Sequence, residues 1–309
     1  MAHSPEPDDD ALTLETARRE IGSYAVPVDR TDRIPLSVAV GRVLATDATA
    51  AEAVPEAGID HESTVFERGH QVRPVDVGLL KAAGVNELLV YQRPQVGIVP
   101  TGDELVQRDG QRDERVETAG FTLSQYADRW GGKVTYRDPV ADDRPALRMA
   151  VQRDLTRDVL VVTGTTPGDT LREVVADLGT ILTDELRLDP GHQTGLAVVE
   201  DRPVLLLPEK PVPAHVAAVQ LLRPLLKSFA AAPLTAHPER RATLAEDVPV
   251  RRDAQSCVPV TVEDGTATPL AGTDLGTVTR ADGWLTVPAG AEPPAAGETC
   301  RVENWDYLP

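Results

Sequence analysis

Lysine is the scarcest charge in this chain: Lys81, Lys133, Lys210 and Lys227 are four of 31 basic residues, set against 49 acidic ones. The net charge of −18 excludes a surface built to neutralise nucleic-acid phosphates, which demand Lys and Arg. Abundant acid with little lysine resembles the proteins of salt-accumulating halophiles, where strong salt screens the self-repulsion. Cysteine is nearly absent. Cys257 and Cys300 stand without a CxxC, which excludes a cysteine-held metal. A reducing cytoplasm with two free thiols fits them better than a disulfide. No apolar run reaches the length of a membrane span, and the opening MAHSPEPDDD is acidic, unlike a signal peptide. The expectation is a cytoplasmic protein with neither a nucleic-acid nor a membrane partner. Aromatics make up 4% of residues, and the three Trp read as packing groups. GxSxG and GxxxxGK[ST] are missing, which argues against an α/β-hydrolase and a P-loop NTPase.

What is present is alternation. A tail over 1–12, polar and acidic, reads as disordered. Residues 13–68 form an N-terminal extended and helical segment, with Leu14, Ala17 and Ile21 on one helix face. From 69 to 236, short apolar strands alternate with helices. The run DVLVVTG is nearly continuous apolar, as expected of a strand covered on both faces. This pattern predicts an α/β domain with a parallel sheet and helices on both faces. A final helix is expected from about 213 to 229. After Pro238 short β-like runs are broken by turns, predicting a small β-barrel or sandwich over 237–309.

The chemistry concentrates where strands end. In PQVGIVPTGDELV an apolar strand stops at Thr101-Gly102, and Asp103 and Glu104 follow. Open α/β sheets place their ligand crevice at such carboxyl edges. Asp103 suits a Mg²⁺, since hard cations prefer carboxylate oxygens; Thr101 or Asp103 equally suits a cap for the next segment. Glu117-Thr118 opens the next helix, so Glu117 either joins Asp103 around a metal or serves the helix dipole. Thr163-Gly164-Thr165-Thr166-Pro167-Gly168-Asp169 follows the most apolar strand and offers backbone N–H groups to an anion. Leu207-Pro208-Glu209-Lys210-Pro211 brings in Lys210, the one basic group among these turns. His61 and His192 are too scattered to define a zinc site.

Taken together, these motifs resemble the MoeA-type molybdopterin molybdenumtransferase family, to which the C-terminal part of gephyrin belongs. TGDEL at Thr101–Leu105 is a hallmark of that family. IPLSVAVGRVLATDATAAEAVPEAGID resembles its PLxxAxGRVLAxDVxAxxxVPxFD, and GTDLGTVTRADGWLTVP its GSGxLxSLAxADGLxxLP. The resemblance spans about Thr13 to Val302. It implies a homodimer that inserts molybdate into adenylylated molybdopterin with Mg²⁺ and releases AMP. In this chain it assigns Asp103, Glu117 and Asp60 to catalysis, the first two as metal ligands. It assigns Thr101, Gly102, Thr118, Thr163, Gly164, Thr165, Gly168, Asp169, His192, Pro208 and Lys210 to the pterin and its phosphate.

Departures from the family pattern fall on the phosphate-facing turns. The family's inserted β-rich domain is almost missing between Asp60 and Gly69, and its FDNSAMDGYAV run is reduced to IDHESTVF. KPGKP becomes DPGHQ, so Asp189 and His192 replace two lysines. LPGNP becomes LPEKP, putting Glu209 where glycine would admit a close ligand. Two functions therefore stay open: Mg-dependent molybdate insertion, or a non-catalytic molybdopterin carrier or regulatory paralogue of an active homologue.

Overall fold

The computed structural model describes residues 11–110, 114–165 and 168–307; the expected disordered tail, apart from Ala11 and Leu12, and Thr166-Pro167 lie outside them. At its centre is a six-stranded sheet. Its spatial order is Thr180–Thr183, Gly195–Val199, Arg202–Pro208, Val159–Thr165, Gln95–Pro100 and Lys133–Tyr136. The last four run parallel, as alternation with helices predicts. Val159–Val162 and Pro203–Leu207 are buried throughout, because helices cover both sheet faces.

One edge adds antiparallel strands to the expected parallel sheet. Gly195–Val199 pairs antiparallel with Arg202–Pro208 through a two-residue turn. Both turn residues, Glu200 (φ 49°) and Asp201 (φ 61°), are left-handed, the backbone of a tight hairpin that follows strand twist. Thr180–Thr183 then adds antiparallel to Gly195–Val199, so the sheet is mixed.

The C-terminal part is a five-stranded barrel. Gln255–Glu263 pairs with Thr266–Pro269 on one side and with Gly283–Val287 on the other. Glu239–Leu244 and Thr299–Glu303 complete the circuit. Closure removes free sheet edges and buries Val260, Ala267, Leu285 and Val302 inside. Cys257 and Cys300 are buried as free thiols. Leu186–Asp189, from the central region, pairs parallel with the barrel strand Gln255–Glu263. Leu12–Thr13 pairs in turn with Leu186–Asp189, so one sheet ties the three regions of the chain together.

The N-terminal segment packs with the chain that follows it. Thr31–Pro35 pairs antiparallel with Glu87–Tyr91, and Leu36, Leu44, Val72, Leu80, Leu88 and Val90 share one core. The chain enters the central sheet only at Gln95. The final helix runs Pro211–Phe229 and widens to a π-turn over Ala218–Leu222. Pro224 explains the irregularity: it has no N–H to give the carbonyl four residues back, that of Gln220. Arg18 Nε, from the helix Leu14–Gly22, donates to that carbonyl at 2.7 Å.

Candidate functional site

Strands Gln95–Pro100, Val159–Thr165 and Arg202–Pro208 end on one edge, and their following turns meet there. The turns are tied to one another by hydroxyls. Thr101 donates to the Thr163 carbonyl from its N–H (2.8 Å) and from its Oγ1 (3.1 Å). Thr165 Oγ1 donates to the Leu207 carbonyl at 3.0 Å. Between them Gly164 takes φ +95°, and a Cβ there would stand 2.2 Å from the Thr101 carbonyl oxygen. Only glycine allows the two turns to approach so closely. Thr101 and Thr165 are thus structural fasteners, and Gly164 is the joint.

Against this edge lies a cavity of about 580 Å³. Of the residues expected at the site, it gathers Glu117, Thr118, Thr163, Gly164 and Lys210. It also brings in Arg115, Glu209 and, from the barrel side of the chain, Thr273 and Asp274. Arg115 escaped the sequence reading because its partners lie 11 and 94 positions away. It donates to Glu104 at 2.9 Å and to Glu209 in a short contact, spanning two of the turns. Asp274 lies within GTDLG, read only as part of the barrel; its carboxylate caps the helix Leu275–Arg280 by accepting from Thr277 N at 2.9 Å.

Three acids, Glu117, Glu209 and Asp274, line the cavity against two cations, Arg115 and Lys210. Glu117 is buried and fully engaged. Its carboxylate accepts from Gly120 N (2.6 Å), from Phe121 N (3.1 Å) and from the Tyr136 hydroxyl in a short contact. Burial, and then the Glu117 charge, push the Tyr136 phenol far above its ordinary range. Asp103 is exposed and accepts from the backbone N of Asp142 at 2.9 Å. Glu117 therefore serves its helix start, while Asp103 stands exposed on a different turn. Among the described residues no group of three or more His, Cys, Asp or Glu is placed to hold a metal ion.

The remaining expected residues do not line this cavity. Asp60 is exposed within the N-terminal unit, where its carbonyl accepts from Ser63. Asp169 caps the helix Thr170–Leu178, accepting from Arg172 N at 2.8 Å, and Gly168 precedes it in the left-handed region. Gly102 donates its N–H to the Val140 carbonyl, and Pro208 is buried at its strand's end. His192 sits half-buried, with its Nε2 lacking a hydrogen-bond partner among the described residues. Burial pushes its pKa down, so at neutral pH it supplies no positive charge. Asp142 is pushed up by burial and by Asp103, Glu104 and Asp169, a concentration of acids at the same edge.

Residues 97–228 match the family model described as "Probable molybdopterin binding domain". The central α/β domain is thus similar to molybdopterin-binding domains. The molybdopterin biosynthesis MoeA protein of Pyrococcus horikoshii shares the fold, with a TM-score of 0.80 at 16% identity over 94% of this chain and 99% of that one. Molybdopterin molybdenumtransferase 2 of Mycobacterium tuberculosis is 26% identical over 96% of this chain and 79% of its own length. A Methanocaldococcus jannaschii protein named for molybdopterin biosynthesis is 26% identical over 77% of this chain, which spans 62% of that relative. The chain is thus similar, at low identity, to MoeA-type molybdopterin-biosynthesis proteins in sequence and in fold. No helix among the described residues is long and apolar enough to cross a membrane.

Proposed function

We propose that this chain binds a molybdopterin-type ligand in the strand-end cleft and serves molybdenum-cofactor biosynthesis as a carrier or regulatory member. The observation that carries this reading is the engagement of Glu117, whose carboxylate accepts from two N–H groups and a phenol at its helix start rather than standing free beside Asp103. The cleft retains what a planar heterocycle needs. Leu105, Val116 and Leu275 supply apolar walls, and Thr118, Thr163 and Thr273 are hydroxyl-bearing residues of the lining. Lys210 meets the phosphate, and Arg115 can swing to it only by leaving Glu104 and Glu209. Those two ion pairs tax an anionic ligand, as does the excess of acids.

Mg²⁺-dependent insertion of molybdate into adenylylated molybdopterin is the second reading. Its support is the acid concentration of Asp103, Glu104, Asp142 and Asp169 at the same sheet edge. In molar KCl, equilibrium dialysis with adenylylated molybdopterin measures retention of the pterin. AMP release with and without Mg²⁺ and molybdate measures turnover. Retention without AMP supports the carrier. AMP that requires both ions and disappears in Asp103→Ala establishes the enzyme instead. If neither variant nor parent retains pterin, both readings fail.

A further inference from the structure

A second cavity, of about 360 Å³, opens where the N-terminal unit meets the helices Ala119–Arg129 and Arg223–Phe229 and the end of the barrel. It shares no lining residue with the strand-end cleft. Its walls are aromatic: Tyr126 and Trp130 stand with ring centroids 5.6 Å apart, and Trp305 joins them. Its size lies at the lower end of small-molecule pockets, which combine apolar walls with a few placed polar groups.

The cations around it decide its chemistry. Arg73 is held by Asp76 at 2.7 Å, Arg129 lies 3.9 Å from Asp306, and His237 bonds Glu303 at 2.6 Å. Arg223 and Lys227 have no carboxylate within ion-pair distance among the described residues. Arg223 spends one N–H on the Thr235 carbonyl in a short contact. They sit one helical turn apart, so both charges face one space. Burial pushes both pKa values down; the Glu303 charge partly offsets this at Arg223, and Arg223 adds to the effect on Lys227. Two like charges, half-buried and without a salt-bridging carboxylate, are costly. In a chain with 49 acids, their lack of a salt-bridge partner among the described residues marks a place for an anion from outside.

We infer that this cavity is a binding site for a small planar anion, a ring bearing a phosphate or carboxylate. Arg223 and Lys227 hold the anionic group, and Tyr126, Trp130 and Trp305 enclose the ring. Ring stacking on aromatic faces and charge-assisted hydrogen bonds act together, so neither half of the ligand suffices. The inference is independent of what the strand-end cleft binds.

The test titrates the full chain with uridine monophosphate, uridine, inorganic phosphate and anthranilate, by calorimetry and by tryptophan fluorescence. Uridine monophosphate or anthranilate should bind and change Trp emission, with uridine and phosphate each at least tenfold weaker. Lys227→Met and Arg223→Met should each weaken binding about tenfold, the scale of one hydrogen bond to a charged group. Lys227→Arg should retain it, and Lys210→Ala, in the other cavity, should leave it unchanged. Failure of both planar anions to bind overturns the inference. Binding indifferent to Lys227 and Arg223, or lost in Lys210→Ala, overturns it as well. If the Met variants melt early, the comparison of Lys227→Arg with the ligand halves on the parent chain decides alone.

Discussion

Gly164 shows how much of the cleft rests on one missing side chain. With φ +95° and a Cβ that would lie 2.2 Å from the Thr101 oxygen, Gly164→Ala must separate the two turns. The expected cost is about 2 kcal/mol or more, at the scale of forced backbone strain, together with loss of pterin retention. A urea melt matching the parent would contradict it. Glu117→Gln removes the charge that Tyr136 senses, so the phenol should titrate at lower pH by ultraviolet absorbance. A phenol raised in the folded state lends stability below its ordinary range near 10 and loses it as pH climbs beyond. The variant should therefore lose less stability on the alkaline side than the parent. His215 acts at the other extreme. It is packed edge-on against Tyr126 and Trp305, and both ring nitrogens lack hydrogen-bond partners among the described residues. Burial, with His237 adding, pushes its pKa down from 6.5 to about 3. A histidine lowered on folding contributes stability above its ordinary value and loses it as pH falls from 6.5 toward 3. His215→Leu should flatten the decline in stability between neutral pH and acid; an unchanged slope would show that other groups govern it.

At the scale of elements, the joint between the first and last helices is the most exposed to a single change. Pro224 frees the Gln220 carbonyl inside the helix, and Arg18 fills the gap from another helix with Nε and a second N–H on the Gln220 side chain. Arg18→Leu leaves a buried carbonyl unsatisfied and should cost about 1–3 kcal/mol in denaturant melts. Pairing it with Pro224→Ala should recover part of that cost, because alanine returns an N–H to the same oxygen. Non-additivity in that double-mutant cycle is the expected sign; strict additivity would mean the two residues act separately. The helix Thr170–Leu178 depends on Asp169 at its start, and Asp169→Ala should cost about 1 kcal/mol, the usual worth of such a cap.

For the molecule as a whole, charge is the dominant variable. At −18, the folded chain repels itself, and salt shortens the range of that repulsion. Raising KCl from about 0.1 M to about 2 M, where the screening length falls below about 3 Å, should raise the melting temperature by several degrees. A melting temperature that falls with KCl would mean that local ion pairs, such as Arg137 with the fully buried Asp154, outweigh the net repulsion. The homodimer implied by the resemblance is tested on the same samples by sedimentation, where a monomer at both salts would remove it.

Much of this was legible in order along the chain. Strand and helix alternation is local chemistry: continuous apolar runs, capping acids and glycine stops mark elements without reference to neighbours. The barrel, the central α/β domain and the strand-end position of the cleft followed from that periodicity, and TGDEL pointed to the edge where the cleft lies. The partners of the charged groups were not legible, because partnership is set by packing between distant segments. Sequence spacing made Asp103 and Glu117 equal candidates for a metal; tertiary contacts gave Glu117 to Gly120, Phe121 and Tyr136. Arg115 entered the cleft because the turns carrying Glu104 and Glu209 converge on it. The antiparallel edge depended on two non-glycine residues taking left-handed backbones, which composition does not announce. Sequence alone determined the alternation of the main strands and helices and pointed to the edge with the candidate cleft; only the tertiary structure decided which charges there are already spent, because that depends on distances between residues far apart in the chain.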